Sequence, residues 1–359
     1  MVAVVTEKPN LVMHWNGEMI VDLERGFLDT NGVRVVVDAK VVDKDVNLPE
    51  KRSTSIDTLE ADTLAVLSDL NHTSQKGLQT IFDSSVGRST VNQPLGGRYQ
   101  ITPTEASVQK LPVQHGVTHT ASVMAQGYHP YLAEWSPYHG AAYAVIEATA
   151  RLVAVGANWS KARFSYQEYF ERMDKQAERF GQPVSALLGS IEAQIQLGLP
   201  SIGGKDSMSG TFEELTVPPT LVAFGVTTAD SRKVLSPEFK TAGEHIYYIP
   251  GQELSQDIDF GLIKSNFAKF SEIQAVHEVT AASAVKYGGV VESLSLAVLG
   301  NHIGANVTLT YLESSLTGQL GGFIFTSPEE IAGVEKIGQT SADFTLTVNG
   351  VKLDGYKLD

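Results

Sequence analysis

The segment "YHGAAYAVIEATARLVAVGANW", Tyr138 to Trp159, constrains the fold more than any other, because it is apolar on almost every face of a helix. A helix of that kind belongs in an interior, not on a surface. The interior has to be large, and 359 residues with 42% hydrophobic content are enough for two domains with a core each. One carboxylate, Glu147, lies inside this apolar run, and a buried carboxylate needs a cation close by. Arg151 stands at i+4, in the favourable order for an ion pair along a helix.

Charge and composition narrow the partners. The formal net charge is −14, with a pI near 5.1, so the long-range field repels nucleic acid and anionic membrane surfaces. A phosphate-bearing ligand would have to be held locally. There is no cysteine, which excludes disulfides, thiolate metal sites and a cysteine nucleophile from this chain. The start, "MVAVVTEKPN", lacks the form of a signal peptide, and no run of about 18 apolar residues occurs, so the chain reads as cytoplasmic.

Along the chain, residues 11 to 42 read as short strands broken by "WNGE" and "DTNG", and the polar stretch Asp43 to Ser55 reads as a linker. This predicts a first segment over 1–50, a domain over 51–239 and a second over 240–359. Helical patterns cover "TLEADTLAVLSDLN", "SQKGLQTIFDSS", Tyr166 to Arg179, Val184 to Leu197, Phe260 to Phe270 and a stretch ending at Leu299. Strands are expected at "HTASVMAQG", "PPTLVAFGVTTAD" and "QAVHEV".

The stretch "SIGGKDSMSG", Ser201 to Gly210, looks suited to an anion. Gly203 and Gly204 would let the backbone come close to a ligand in a turn after a strand, Lys205 offers a charge, and Ser207 and Ser209 offer hydroxyls. Asp206 would hold a metal or orient the lysine. It is not a Walker loop, since Leu199 and Asp206 occupy the positions that need glycine and Ser or Thr. A solvated tight turn is the alternative. His115 and His119 are spaced by four on a strand pattern, which does not bring two side chains to one metal.

In order, "FDSSVG", "QITPTEASV", "AVIEATARLVAVGA", "NWSKA", "GGKDSMSG", "PPTLVAFGVTTAD", "LSPEF", "AGEHIYYI", "LGGFIFTS" and "IGQT" resemble the second half of the phosphoribosylformylglycinamidine synthase family. The GKDSM form is similar to that of its large, single-polypeptide version. The resemblance implies an α+β chain of the aminoimidazole ribonucleotide synthetase superfamily: an α/β barrel-forming domain followed by an α+β domain. It implies an ATP-dependent ligase that converts formylglycinamide ribonucleotide and glutamine to the amidine, with chemistry in a first half that this chain lacks. The second half would carry an auxiliary, non-catalytic nucleotide site for ATP or ADP with magnesium. Expected partners are the missing first synthetase half and a glutaminase domain, and the isolated chain is expected to be inactive and to pair as a homodimer.

Carried over by residue, the resemblance places metal ligands at Glu105, Glu147 and Glu278, with Arg151 where the family has an asparagine. Nucleotide contacts fall on Thr104, Arg151, Gly203, Gly204, Lys205, Asp206, Ser207 and Thr280. Two alternatives stay open: a scaffold half that binds nothing, and a stand-alone relative such as a small-molecule kinase.

Overall fold

The computed structural model describes residues 2–30, 36–42, 52–81 and 89–359, so the predicted motif "FDSSVG" and most of the linker fall outside the described residues. The chain divides into two compact units, Met1–Asp38 and Ala39–Asp359. The first is a hairpin of β1 (Asn10–Trp15) and β2 (Glu18–Glu24), followed by a short helix α1 (Arg25–Leu28). Its turn residues Asn16 and Gly17 have φ of 49° and 88°. Positive φ at both positions gives the turn whose twist matches that of paired strands.

The second unit opens with helices α2 (Leu59–Ser68) and α3 (Lys76–Gln79). Then come β3 (Thr90–Asn92), the small pair β4 (Leu95–Gly96) and β5 (Thr102–Pro103), β6 (Ser107–Lys110) and β7 (Thr120–Gly127). Helices α4 (Pro130–Trp135) and α5 (Pro137–Ala154) lead to β8 (Arg163–Tyr169), α6 (Ala177–Leu197) and β9 (Ser201–Ser207). A minor hairpin of β10 (Thr211–Phe212) and β11 (Leu215–Thr216) precedes the long β12 (Thr220–Asp230). These strands form a six-stranded sheet of order β3-β6-β7-β12-β8-β9, antiparallel except for the β8–β9 pair.

A second sheet follows. Its strands are β13 (His245–Ile249), β15 (Ala281–Val285), β16 (Gly304–Val307), β18 (Gly322–Ser327), β19 (Glu335–Ser341), β20 (Thr345–Val348) and β21 (Val351–Asp354). The small pair β14 (Gln252–Glu253) and β17 (Gln319–Leu320), and helices α7 (Phe260–Val276), α8 (Gly289–Leu299) and α9 (Gly355–Leu358), complete it. The seven strands run in the order β15-β18-β13-β19-β16-β20-β21, with only β16 and β20 parallel.

Helix α5 is the apolar segment from which the fold was read. Ser136 caps it by accepting from the His139 N–H, and Pro137 fills its first position, where no backbone donor is needed. Its side chains share one core with β7, β8 and β12 of the first sheet and with Ala282, Ala284 and Phe323 of the second. Ile146, Leu152 and Val153 are fully buried. Each such side chain contributes about 1.5–3 kcal/mol relative to exposure.

Three predicted elements differ. Tyr166 to Arg179 is not a helix: β8 occupies its start, because Phe164, Tyr166 and Glu168 alternate inward with period two. The glycine-rich stretch is not a turn after a strand but the edge strand β9 itself. "QAVHEV" begins inside α7, which continues to Val276.

Candidate functional site

Glu105 follows β5 and is 2% exposed. Its Oε2 receives Arg151 Nε at 3.1 Å, and its Oε1 receives Lys286 Nζ at 2.7 Å. Arg151 comes from α5. Its guanidinium also donates to the Glu105 carbonyl at 3.1 Å, the Gln126 carbonyl at 3.0 Å and the Thr104 carbonyl at 3.5 Å. Glu147, one turn back, lies 3.6 Å from Arg151 Nη1. Burial raises the pKa of Glu147, with Arg151 and Lys286 pulling the other way. Lys286 stands between the end of β15 and the Gly288-Gly289 step that opens α8. Gly289 has φ of 74°, which favours glycine and lets the chain turn sharply at this point.

A second polar group lies on the same side. The His72 ring nitrogen Nδ1 bonds the buried Glu292, whose other oxygen accepts from the Gly288 N–H at 3.1 Å. Burial raises the Glu292 pKa, but the His72 contact, Lys286 and this N–H outweigh it and leave it lowered. The His129 ring stacks on Tyr287 with centroids 3.7 Å apart. Burial, then the nearby His72, pushes His129 down to about 4. Arg52 lies over the Tyr287 ring, 5.1 Å from its centroid, and pairs with Asp69 at 3.7 Å.

The structure therefore brings Thr104, Glu105, Glu147 and Arg151 together, but not the other predicted residues. Glu278 and Thr280 precede β15, whereas Lys286 follows it. At about 3.3 Å per strand residue, Thr280 is roughly 20 Å along the strand from Lys286. Thr280 hydrogen-bonds Glu244 at 2.7 Å, and the Glu278 carbonyl accepts from Ser327. Among the described residues no three acidic or histidine side chains form a metal-binding group. Of the predicted triad, Glu105 and Glu147 meet Arg151 and Lys286, while Glu278 lies before β15. Arg151, predicted to contact nucleotide, donates here to protein acceptors.

Gly203, Gly204, Lys205, Asp206 and Ser207 all lie on β9. The register puts Gly204 in one row with Tyr166, Ala223 and Gly127, three strands from the Arg151 acceptor Gln126. At about 4.8 Å per strand, that is roughly 14 Å. Gly203 and Lys205 are exposed. Asp206 faces the buried Glu168, whose carboxyl is pushed up to about 8 by burial and then by Asp206.

Lys286 escaped the sequence reading, though a lysine between the apolar "AASAV" and a di-glycine is a visible signal. His72 and Glu292 gave none, being far apart in the chain.

No family model matches the chain. The subunit PurL of phosphoribosylformylglycinamidine synthase from Thermococcus sibiricus is 26% identical over 245 residues, covering 67% of this chain and 31% of the relative. The PurL of Pyrococcus furiosus is 24% identical, covering 97% of this chain and 50% of its own length. The chain thus spans a third to a half of these curated relatives. Among solved structures, Thermotoga maritima PurL complexed with ADP matches with a TM-score of 0.63 at 15% identity, over 93% of this chain and 49% of that one. AaThiL complexed with AMPPCP and TMP matches with a TM-score of 0.54 at 11% identity, over 79% of this chain and 96% of that one. The chain is similar in sequence to the PurL subunits of phosphoribosylformylglycinamidine synthase, and its α+β fold is like that of solved PurL and ThiL chains.

Proposed function

We propose that the chain serves as a synthetase-like half of an ATP-dependent ligase that makes formylglycinamidine ribonucleotide, and that it provides the auxiliary, non-catalytic nucleotide region. The reacting centre and the glutaminase would be supplied by partners: a first synthetase half and a glutamine-hydrolysing component. A chain with no cysteine has no thiolate with which to open glutamine.

The observation that carries this reading is the meeting of Thr104, Glu105, Glu147 and Arg151 beside Gln126 at the end of β7, three strands from the glycine-rich β9. Related PurL structures complexed with ATP, ADP and FGAR support the ligand class. With Arg151 engaged internally, Lys205 and the exposed backbone around Gly203 are the groups left to meet a phosphate.

Thermal unfolding with ADP or ATP, with and without magnesium, tests the reading, because a ligand selective for the folded state raises the midpoint. The expected result is a shift at millimolar nucleotide that magnesium does not enlarge and that Lys205→Ala reduces. No shift at 10-fold higher nucleotide would favour the second reading, a scaffold half. That reading has one observation of its own: both oxygens of Glu105 are already occupied by the protein.

A further inference from the structure

The family resemblance puts a divalent cation beside Glu105 and Glu147, and the residues present do not fit one. Magnesium takes oxygen ligands at about 2.1 Å and keeps its waters. Glu105 is 2% exposed, with Lys286 Nζ 2.7 Å from Oε1 and Arg151 Nε 3.1 Å from Oε2. An ammonium and a guanidinium have only donors and cannot ligate a cation. The carboxylates Glu105 and Glu147 face two cations with no metal at all, and the nearby Glu292 is held by His72 and the Gly288 N–H.

The two cations come from different layers. Arg151 belongs to α5, packed on the first sheet, and Lys286 ends β15 at the edge of the second. Glu105 belongs to the loop entering β6, so its two bonds tie the sheets to each other.

We propose that Lys286 and Arg151 are a built-in substitute for a divalent cation, and that they hold the junction of the two sheets closed whether or not any metal is present. The inference goes beyond the nucleotide reading, and its test uses no nucleotide, so either can fail without the other.

The test is manganese binding to the whole chain, followed by the loss of the free-ion electron paramagnetic resonance signal, with melting curves in EDTA, magnesium and manganese. The protein itself should bind no manganese tighter than millimolar and should melt at one temperature in all three. Lys286→Ser combined with Arg151→Asn leaves two uncompensated acids. This variant should melt lower, take up about one manganese per chain and regain stability with it. Stoichiometric binding by the unaltered protein that Glu105→Gln abolishes would overturn the proposal. So would a folded double variant that takes up none. Should the double variant fail to fold, Lys286→Ala alone is titrated with methylammonium. Its melting temperature should rise more than that of the unaltered protein, and equal responses would overturn the proposal.

Discussion

At the residue scale, the pair Glu147 and Arg151 was legible because both sit on one helix, and the i,i+4 rule is a local one. Lys286 was not, because its partner Glu105 is distant in the chain and only the packing of two sheets brings them together. The same holds for His129, whose stack on Tyr287 no local pattern announces. This histidine has a measurable consequence. Its folded pKa is depressed from 6.5 to about 4, so the unfolded chain binds the proton more readily between those values. The stabilisation is complete above pH 6.5 and is lost as pH falls towards 4. It amounts to about 3 kcal/mol at most, at 1.36 kcal/mol per unit. In His129→Phe, which keeps a ring against Tyr287, chemical denaturation at pH 7 and pH 4.5 should give a stability difference smaller by about 2–3 kcal/mol than that of the unaltered protein. An unchanged difference would remove His129 as the titrating group.

At the element scale, α5 was read correctly because burial on every face leaves a compositional trace. β8 and β9 were misread. In β8, the polar Ser165 and Gln167 between Phe164, Tyr166 and Glu168 admit a helical pattern as well as an alternating one. In β9, two adjacent glycines read as a turn, while in the fold they lie on an exposed edge, where a small residue costs little packing. Gly127, at the end of β7, shows the opposite constraint. A Cβ there would sit 2.0 Å from the Ala144 carbonyl oxygen of α5, and backbone on both sides cannot move aside cheaply. Gly127→Ala should therefore cost at least about 1–3 kcal/mol in urea unfolding, as overpacking does. It should cost more than an alanine at Gly77, where nothing lies within 4 Å. Equal effects would mean that α5 and β7 are not in close register.

At the scale of the whole molecule, two sheets and the shared helix α5 form the second unit, and the order of the motifs predicted that class of fold. What the motifs could not convey is how Glu105 is held, since its two cationic partners, Arg151 and Lys286, come from elements far from it in the chain. Glu105 joins the two sheets through Lys286. Removing one partner of a buried ion pair leaves an unpaired charge and costs about 3–5 kcal/mol, whereas removing both is far milder. The most direct measurement is a double-mutant cycle on unfolding free energy with Lys286→Met, Glu105→Gln and the two combined. Because Arg151 still faces Glu105, the expected loss for Lys286→Met is about 1.5–3 kcal/mol, and the combined variant should be more stable than the sum of the single losses by more than about 1 kcal/mol. Losses that add to within about 0.5 kcal/mol would contradict it.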